Sequence, residues 1–163
     1  MFMRLEQLPE GDERMLKRPD YLPLLDHAAS VINCVTSFGR EMNNQAIHSA
    51  AEVSIYIAVR CNTLVDRTSP WQLAKMEETR RQLDGVLYHL AESLRIIAIL
   101  VSPVLPRAAH GIFDQLHWKM EPELAGKEAR FSLADADWGK LPNDHVVGKP
   151  VPLFPRIEMP KAS

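Results

Sequence analysis

The chain has 163 residues, of which 46% are hydrophobic and 25% are charged, and this composition is typical of one globular domain with a real core. Its formal net charge is only -2, which excludes an overall basic field that would attract nucleic acid, so any RNA binding would depend on a local surface. The most apolar run, 96–101, is far shorter than the roughly 20 residues of a membrane span, and no signal pattern precedes it. We therefore expect a cytoplasmic protein without a membrane partner.

The first half of the chain contains two predicted helices after a charged leader. Residues 1–18 show a turn signal but no sustained period, so we interpret them as the leader. A first helix is predicted at about 20–42 and a second at about 45–67, because apolar residues recur every three or four positions. The two cysteines, Cys34 and Cys61, lie on these apolar stripes, which predicts small core residues and no disulfide.

The second half is predicted to hold a long helix, a short helix and an extended strap. A helix at about 71–101 carries two interleaved seven-residue series, which predicts a core stripe; its members are Leu73, Arg80, Leu87, Leu94 and Val101, and Met76, Leu83, Leu90 and Ile97. A fourth helix is predicted at about 105–117, a charged loop at 119–130, and a short turn or helix at 131–138. The proline-rich strap, 141–159, is expected to be anchored by Leu153, Phe154 and Ile157. The sequence thus predicts an all-α bundle in one domain, 19–159.

The corner between the second and third predicted helices, residues 60–75, is the most informative stretch. Thr68 and Ser69 can cap the helix that follows, and Pro70 suits a first helical turn because its missing N–H would have no partner there. Trp71 comes directly after it. Its indole could plug the corner as a local hydrophobic contact, or it could form an exposed platform on which an unstacked base stacks.

Three blocks of the sequence resemble the anticodon-binding domain of the methionyl-tRNA synthetase family. The first is Asn62, Asp66, Pro70-Trp71 and Leu73-Ala74-Lys75, which matches the signature Asn-x-x-x-Asp-x-x-x-Pro-Trp-x-x-Ala-Lys. The second block is 101–106, with its two prolines, and the third is 148–158, with Leu-Phe-Pro-Arg-Ile-Glu. The blocks occur in the family's order and cover roughly 45–158. The resemblance implies a helical bundle of the class I aminoacyl-tRNA synthetase anticodon-binding type.

The resemblance also implies a partner and a set of binding residues. The partner would be the anticodon loop of tRNA-Met, and the RNA-binding residues would be Trp71, Asn62, Asp66, Pro70 and Arg67. Trp71 matches the family's stacking tryptophan, and stacking of a base on an aromatic ring is worth roughly 1 to 3 kcal/mol. The i, i+4 spacing of Asn62 and Asp66 puts them on one helix face, where they either contact bases or tie down the helix end. Arg67, like Arg60 and Lys75, could meet phosphates.

Two family features are missing from the chain. The His-Ile-Gly-His and Lys-Met-Ser-Lys-Ser motifs of the catalytic domain do not occur, so this chain alone is not expected to activate methionine, and ATP and methionine would bind a catalytic domain elsewhere. The catalytic domain of a parent synthetase would then be the second partner. The family's Asn-x-x-x-Arg pair, which precedes the aligned region, does not occur either.

No other motif in the sequence predicts chemistry. The six histidines never stand at i and i+4, no Cys-x-x-Cys accompanies them, and glycine-rich phosphate loops do not occur, so we expect no catalytic residue, no metal and no cofactor in this domain. DNA is not an expected partner. Two alternatives stay open: the equivalent domain of another class I synthetase, and a helical protein-interaction module that has kept the scaffold without binding RNA.

Overall fold

The computed structural model describes residues 21–118 and 132–154, and helices make up most of this part of the chain. The helices are α1 (Leu22–Asn43), α2 (Ile47–Thr68), the single turn α3 (Pro70–Leu73), α4 (Arg80–Val101) and α5 (Pro106–Leu116). Short 3₁₀ helices occupy Glu77–Thr79 and Leu133–Ala136. No strand occurs within these two described ranges. The predicted all-α bundle is confirmed, whereas the leader and the charged loop lie outside the described residues.

Helix α4 is the centre of the bundle. It packs against every other helical element, and 14 of its 22 residues are buried. Its last two turns are apolar nearly all round, as the sequence predicts, and Ile96, Ala98 and Leu100 are almost completely inaccessible. Helices α1 and α2 pack side by side along it, and their stripes bring Cys34 and Cys61 into the core. Burial raises the pKa of both thiols above the ordinary value, which fits inert core residues.

The prediction of one continuous helix over 71–101 is wrong. Helix α3 ends at Leu73, and a turn and a 3₁₀ helix separate it from Arg80, where α4 begins. The hydroxyl of Thr79 shares its one proton between the carbonyl oxygens of Leu73 (2.7 Å) and Met76 (3.0 Å), two backbone acceptors at the break. As a result, the seven-residue series does not mark one buried seam: Met76 is 54% exposed and Leu94 is 42% exposed.

A buried ion pair on α4 holds residues 135–141. Glu92 and Arg95 are both inaccessible, and the Arg95 guanidinium donates to both carboxylate oxygens at 2.8 and 2.9 Å. The same carboxylate accepts hydrogen bonds from the backbone N–H groups of Gly139 (2.8 Å), Lys140 (2.9 Å) and Leu141 (3.2 Å). Arg95 also donates to backbone carbonyl oxygens of residues 135 and 137. Apart from the hydrogen bonds between them, Glu92 and Arg95 thus both bond to the backbone of residues 135–141.

The strap continues along α5 from residue 145. The His145 ring donates to the carbonyl oxygen of Leu116, and the N–H of Gly148 donates to that of Gln115 at 2.7 Å. A methyl group added at Gly148 would lie 2.5 Å from a ring nitrogen of His117, so a larger residue there would require the exposed His117 ring to move. Further along, the side chain of Leu153 lies against Gly111.

The predicted anchors of the strap are only partly supported. Leu153 makes its contact while remaining 38% exposed, but Phe154 is 72% exposed and does not anchor the strap. In this part the strap is held by hydrogen bonds to α5 and by Val147, which packs against the cluster of Tyr88, Ala91, Leu116 and Leu141. Ile157, the third predicted anchor, lies outside the described residues.

Truncation after Asn143 is expected to lower the free energy of unfolding by about 2 kcal/mol, because it removes three hydrogen bonds to α5 that are each worth roughly 0.5 to 1.5 kcal/mol. Urea denaturation of the two chains measures the difference. Truncation after Phe154 is the matched control, because it keeps all three bonds. Equal stability of both truncated chains would show that the strap adds nothing to the bundle.

Candidate nucleic-acid interface

The corner at the end of α2 is set by one left-handed residue followed by proline. Ser69 has a φ of 43° and a ψ of 61°, and its N–H still donates to the carbonyl oxygen of Val65 at 2.8 Å, which ends α2. Pro70 then opens α3 in the position where a missing N–H costs nothing. Side-chain capping of α3 is not observed, contrary to the prediction: the Thr68 hydroxyl donates backward to the carbonyl oxygen of Leu64, and the Ser69 hydroxyl donates backward to that of Asp66.

Trp71 projects from this corner and is 55% exposed. No residue of α3 is buried. The turn is attached to the bundle by Leu73 instead, which packs against the cluster of Tyr21, Leu24, Leu64 and Val86. The corner therefore has its own apolar anchor, and the Trp71 ring is not needed as a plug. An exposed indole on a turn fixed from below is a suitable surface for stacking.

The other predicted site residues surround the same corner. Asn62, Asp66 and Arg67 are exposed on the last two turns of α2, and Pro70 is half-buried beside Trp71. At a rise of about 1.5 Å per residue, Asn62 lies roughly 9 Å along the axis from the end of α2. Exposed amide, carboxylate and guanidinium groups thus occupy the last two turns of α2, close in sequence to the exposed ring, and such groups can make polar contacts with unpaired bases.

The charge of the corner differs from that of the whole chain. Between residues 66 and 81 there are four cationic side chains, Arg67, Lys75, Arg80 and Arg81, and three acidic ones, so the local net charge is +1. All four cationic side chains are exposed. The seven-residue series assigned Arg80 to the core stripe, and neither Arg80 nor Arg81 was considered as an RNA contact, because both fell inside the longer predicted helix. Their position at the start of α4 brings them to the corner.

Arg60, considered above as a phosphate contact, is directed into the protein. Its Nε is buried without a hydrogen-bond partner among the described residues. Its charge lowers the pKa of His27, although burial of that ring is the larger cause, and the two together bring the pKa to about 4. Arg60 therefore belongs to an interior polar cluster and not to the corner.

That interior cluster contains two histidines which the sequence did not distinguish from the other four. His27 and His89 are both buried, with ring centroids 6.3 Å apart, and His27 shares a 2.8 Å hydrogen bond with the hydroxyl of Ser93. The His89 ring packs edge-on against Trp138 at 5.1 Å. Burial, with a smaller effect of His27, lowers the pKa of His89 to about 3. The histidines are neutral core groups at neutral pH, and they do not reach the corner.

The described part of the chain shows no candidate metal site. Within residues 21–118 and 132–154, no three side chains of histidine, cysteine, aspartate or glutamate are grouped so that they could hold an ion. In the same ranges, no helix has the length and apolar character that crossing a membrane requires.

Comparison with known proteins finds relatives that are named methionine–tRNA ligases. The chain is 35% identical to the methionine–tRNA ligase of Enterococcus faecalis over 133 residues, which are 81% of this chain and 19% of the relative. It is 39% identical to the methionine–tRNA ligase of Lactococcus lactis over 100 residues, 61% of the chain and 14% of the relative. The chain thus spans about a fifth of the length of the relatives it matches. No protein-family model matches it.

A solved structure supports the same relationship. The free-state methionyl-tRNA synthetase of Mycobacterium tuberculosis superposes with a TM-score of 0.67 and 25% identity, covering 97% of this chain and 29% of that one. Fold and relatives together define the class of this protein as an all-α domain of an aminoacyl-tRNA synthetase. More closely, the chain is a homologue of one segment of the methionyl-tRNA synthetases, as its sequence motifs predict.

Proposed function

We propose that this chain binds the anticodon loop of tRNA-Met at the corner after α2 and positions the tRNA for a catalytic domain of the methionyl-tRNA synthetase type. The observation that carries the proposal is the exposed indole of Trp71, held out on a turn that Leu73 anchors from below. In this proposal an unpaired base stacks on the ring. The relatives are named as methionine–tRNA ligases, which supports tRNA-Met as the substrate.

The neighbouring residues take different parts in the proposed contact. Asn62 and Asp66 are exposed on one face of α2, where an amide and a carboxylate can hydrogen-bond the Watson–Crick edges of splayed bases. Pro70 fixes the backbone of the first turn and with it the direction of Trp71. Arg67 is placed to meet phosphates, and the local charge of +1 favours an anionic ligand although the whole chain is acidic.

Replacement of Trp71 by alanine tests the proposal. We expect Trp71→Ala to weaken binding of the tRNA-Met anticodon stem-loop by about 1 to 3 kcal/mol, because the stacking surface is lost. The free energy of unfolding should change little, since the ring is exposed. Fluorescence anisotropy with a labelled stem-loop measures the first quantity, and urea denaturation measures the second.

The matched control is Tyr56→Ala. Tyr56 is an equally exposed aromatic residue, 52% accessible, and it lies on α2 well before the corner. Its removal should leave stem-loop affinity unchanged. If Trp71→Ala instead costs stability and leaves the affinity of the folded protein unchanged, Trp71 is structural. Absence of binding by the unaltered chain would favour a protein-interaction module that does not bind RNA.

A further inference from the structure

Two adjacent arginines, Arg80 and Arg81, lie at the start of α4 on the end of the bundle that carries Trp71. Both side chains are exposed. Helix α2 ends and α4 begins at this end of the bundle, because Leu64 near the end of α2 packs in one cluster with Val86 from the second turn of α4. The arginine pair, as we call Arg80 and Arg81, is therefore on the same end as the proposed RNA-binding corner.

The break between α3 and α4 brings the arginine pair close to the turn that carries the tryptophan. The Thr79 hydroxyl lies 2.7 Å from the carbonyl oxygen of Leu73, the last residue of α3. Trp71 stands two residues before Leu73, and Arg80 directly follows Thr79. This contact thus joins the turn that holds the indole to the residue that precedes the arginine pair.

The arginines at the corner are not neutralised by direct contacts. Arg67, Arg80 and Arg81 form no ion pair with any side chain in residues 21–118 and 132–154, although three acidic side chains share their stretch of the chain. Lys75 differs, because its ammonium donates to the side chain of Gln72 at 2.9 Å. An unpaired guanidinium presents a planar fork of N–H donors, which matches the oxygens of a phosphate.

From this arrangement we propose that the arginine pair binds the phosphates next to the base that stacks on Trp71. The inference rests on the proposed function. Each base of a strand is attached to its own backbone, so a base stacked at the corner brings phosphates to the same surface. Binding of single strands commonly combines an aromatic ring under the base with cationic groups along the backbone. Arg67 precedes the indole in the chain and the pair follows it, so both segments leaving the turn carry cations.

The pair would supply affinity that depends on salt and not on the RNA sequence. Phosphate contacts position a nucleic acid but carry no information on its bases. Each phosphate of a single strand that is neutralised releases counter-ions, so the logarithm of the binding constant falls by about 0.7 per tenfold rise in salt concentration. Two arginine contacts therefore contribute about 1.4 to this slope. Stacking on Trp71 involves no charge and contributes little to it.

Replacement of both arginines by glutamine tests the inference. We expect Arg80→Gln with Arg81→Gln to weaken binding of the tRNA-Met anticodon stem-loop about tenfold or more at low salt, because charge-assisted hydrogen bonds are lost. The salt slope should become shallower by about 1.4. Fluorescence anisotropy over a series of potassium chloride concentrations measures both quantities. A stem-loop with an altered anticodon should lose affinity by the same factor, whereas a loss confined to the tRNA-Met sequence would overturn the inference, because the pair would then read bases.

Arg40→Gln with Arg107→Gln is the matched control. Both arginines are exposed, the first in the last turn of α1 and the second in the first turn of α5. They lie at the opposite end of the bundle, beyond the 22 residues of α4, which span about 33 Å. Because charges are screened over about 10 Å at 0.1 M salt, this variant should keep the original salt slope although its net charge changes equally. Equal effects of the two double variants would overturn the inference.

Substitution by lysine separates the charge of the pair from its geometry. Arg80→Lys with Arg81→Lys keeps both charges, so the slope should stay, while the affinity should fall severalfold because an ammonium cannot form two parallel hydrogen bonds to a phosphate. If Trp71→Ala weakens stem-loop binding and the glutamine variant changes neither affinity nor slope, the inference fails and the proposed function stands. If the unaltered chain does not bind the stem-loop, the proposed function fails and the inference fails with it.

Discussion

Glu92→Gln is expected to lower the free energy of unfolding by about 3 to 5 kcal/mol, because it leaves the buried guanidinium of Arg95 without its counter-charge. Both side chains are inaccessible, so water cannot replace the lost partner. The new amide would also direct N–H groups toward donors, since the carboxylate now accepts from Arg95 and from three backbone N–H groups. Urea denaturation at neutral pH measures the loss.

Two further variants distinguish the stability lost with the buried ion pair from the stability lost by removing any acidic side chain. Glu52→Gln removes an acid whose surface contact is with His48, where both side chains are largely exposed, and should have little effect. The double variant Glu92→Gln with Arg95→Met removes both members of the buried pair. It should be less destabilised than the sum of the single variants, because neither charge is then left alone. Additive losses in the double variant would show that the two side chains act independently.

Amide hydrogen exchange identifies the part of the chain that Glu92→Gln destabilises. The N–H groups of Gly139, Lys140 and Leu141 all donate to the Glu92 carboxylate, so they should exchange faster in Glu92→Gln than amides in the middle of α4. Uniformly faster exchange throughout the chain would indicate that the ion pair stabilises the whole bundle instead of fixing one segment.

Periodicity was sufficient to predict most of the helices. The predictions at 20–42, 45–67 and 105–117 differ from α1, α2 and α5 by at most two residues at each end, since each stripe is packed on one side and polar on the other. The break between α3 and α4 was missed because Leu73 and Leu87 happen to keep the seven-residue phase across it. The Thr79 hydroxyl lies against the carbonyl oxygens of Leu73 and Met76 at this break, and an apolar pattern cannot indicate such a contact.

The corner illustrates what residue types can and cannot indicate. The opening Pro70 follows from local chemistry, whereas the left-handed Ser69 was not predicted, and exposure of Trp71 depends on whether another side chain fills the space below it. Leu73 fills that space, and only the folded chain shows this. The family resemblance predicts the platform. The 55% exposure of the ring agrees with that interpretation, and base stacking itself stays a prediction.

The buried polar groups were the least predictable features. Glu92 and Arg95 stand three residues apart within an apolar run, a signal that could have indicated an interior pair. Their backbone partners lie 40 to 49 residues later in the chain and have no distinctive side chains. His27 and His89 are separated by 62 positions and resemble the exposed histidines in sequence. Their pairing is a property of how α1 packs on α4.

The two buried histidines should make the protein sensitive to mild acid. Their folded pKa values, about 4 and about 3, lie below the ordinary 6.5, so the unfolded chain binds more protons between these limits. Stability is therefore fully present above pH 6.5 and decreases as the pH falls below it. Between pH 7.5 and 5.0 the expected loss is about 4 kcal/mol for the pair, taking 1.36 kcal/mol per pKa unit. Urea denaturation across this range measures it.

A substitution at His89 tests whether the buried histidines cause this pH-dependent loss of stability. His89→Phe keeps a ring against Trp138 and removes the titrating group, so the pH-dependent loss should fall by about half, to roughly 2 kcal/mol. His27 then supplies the remainder, with the neighbouring Arg60 charge opposing its protonation. His48→Phe is the matched control at a side chain that is 89% exposed, and it should leave the full loss in place. An unchanged pH dependence in His89→Phe would mean that this ring is already open to protons in the folded chain, and the acid sensitivity would then have to come from other groups.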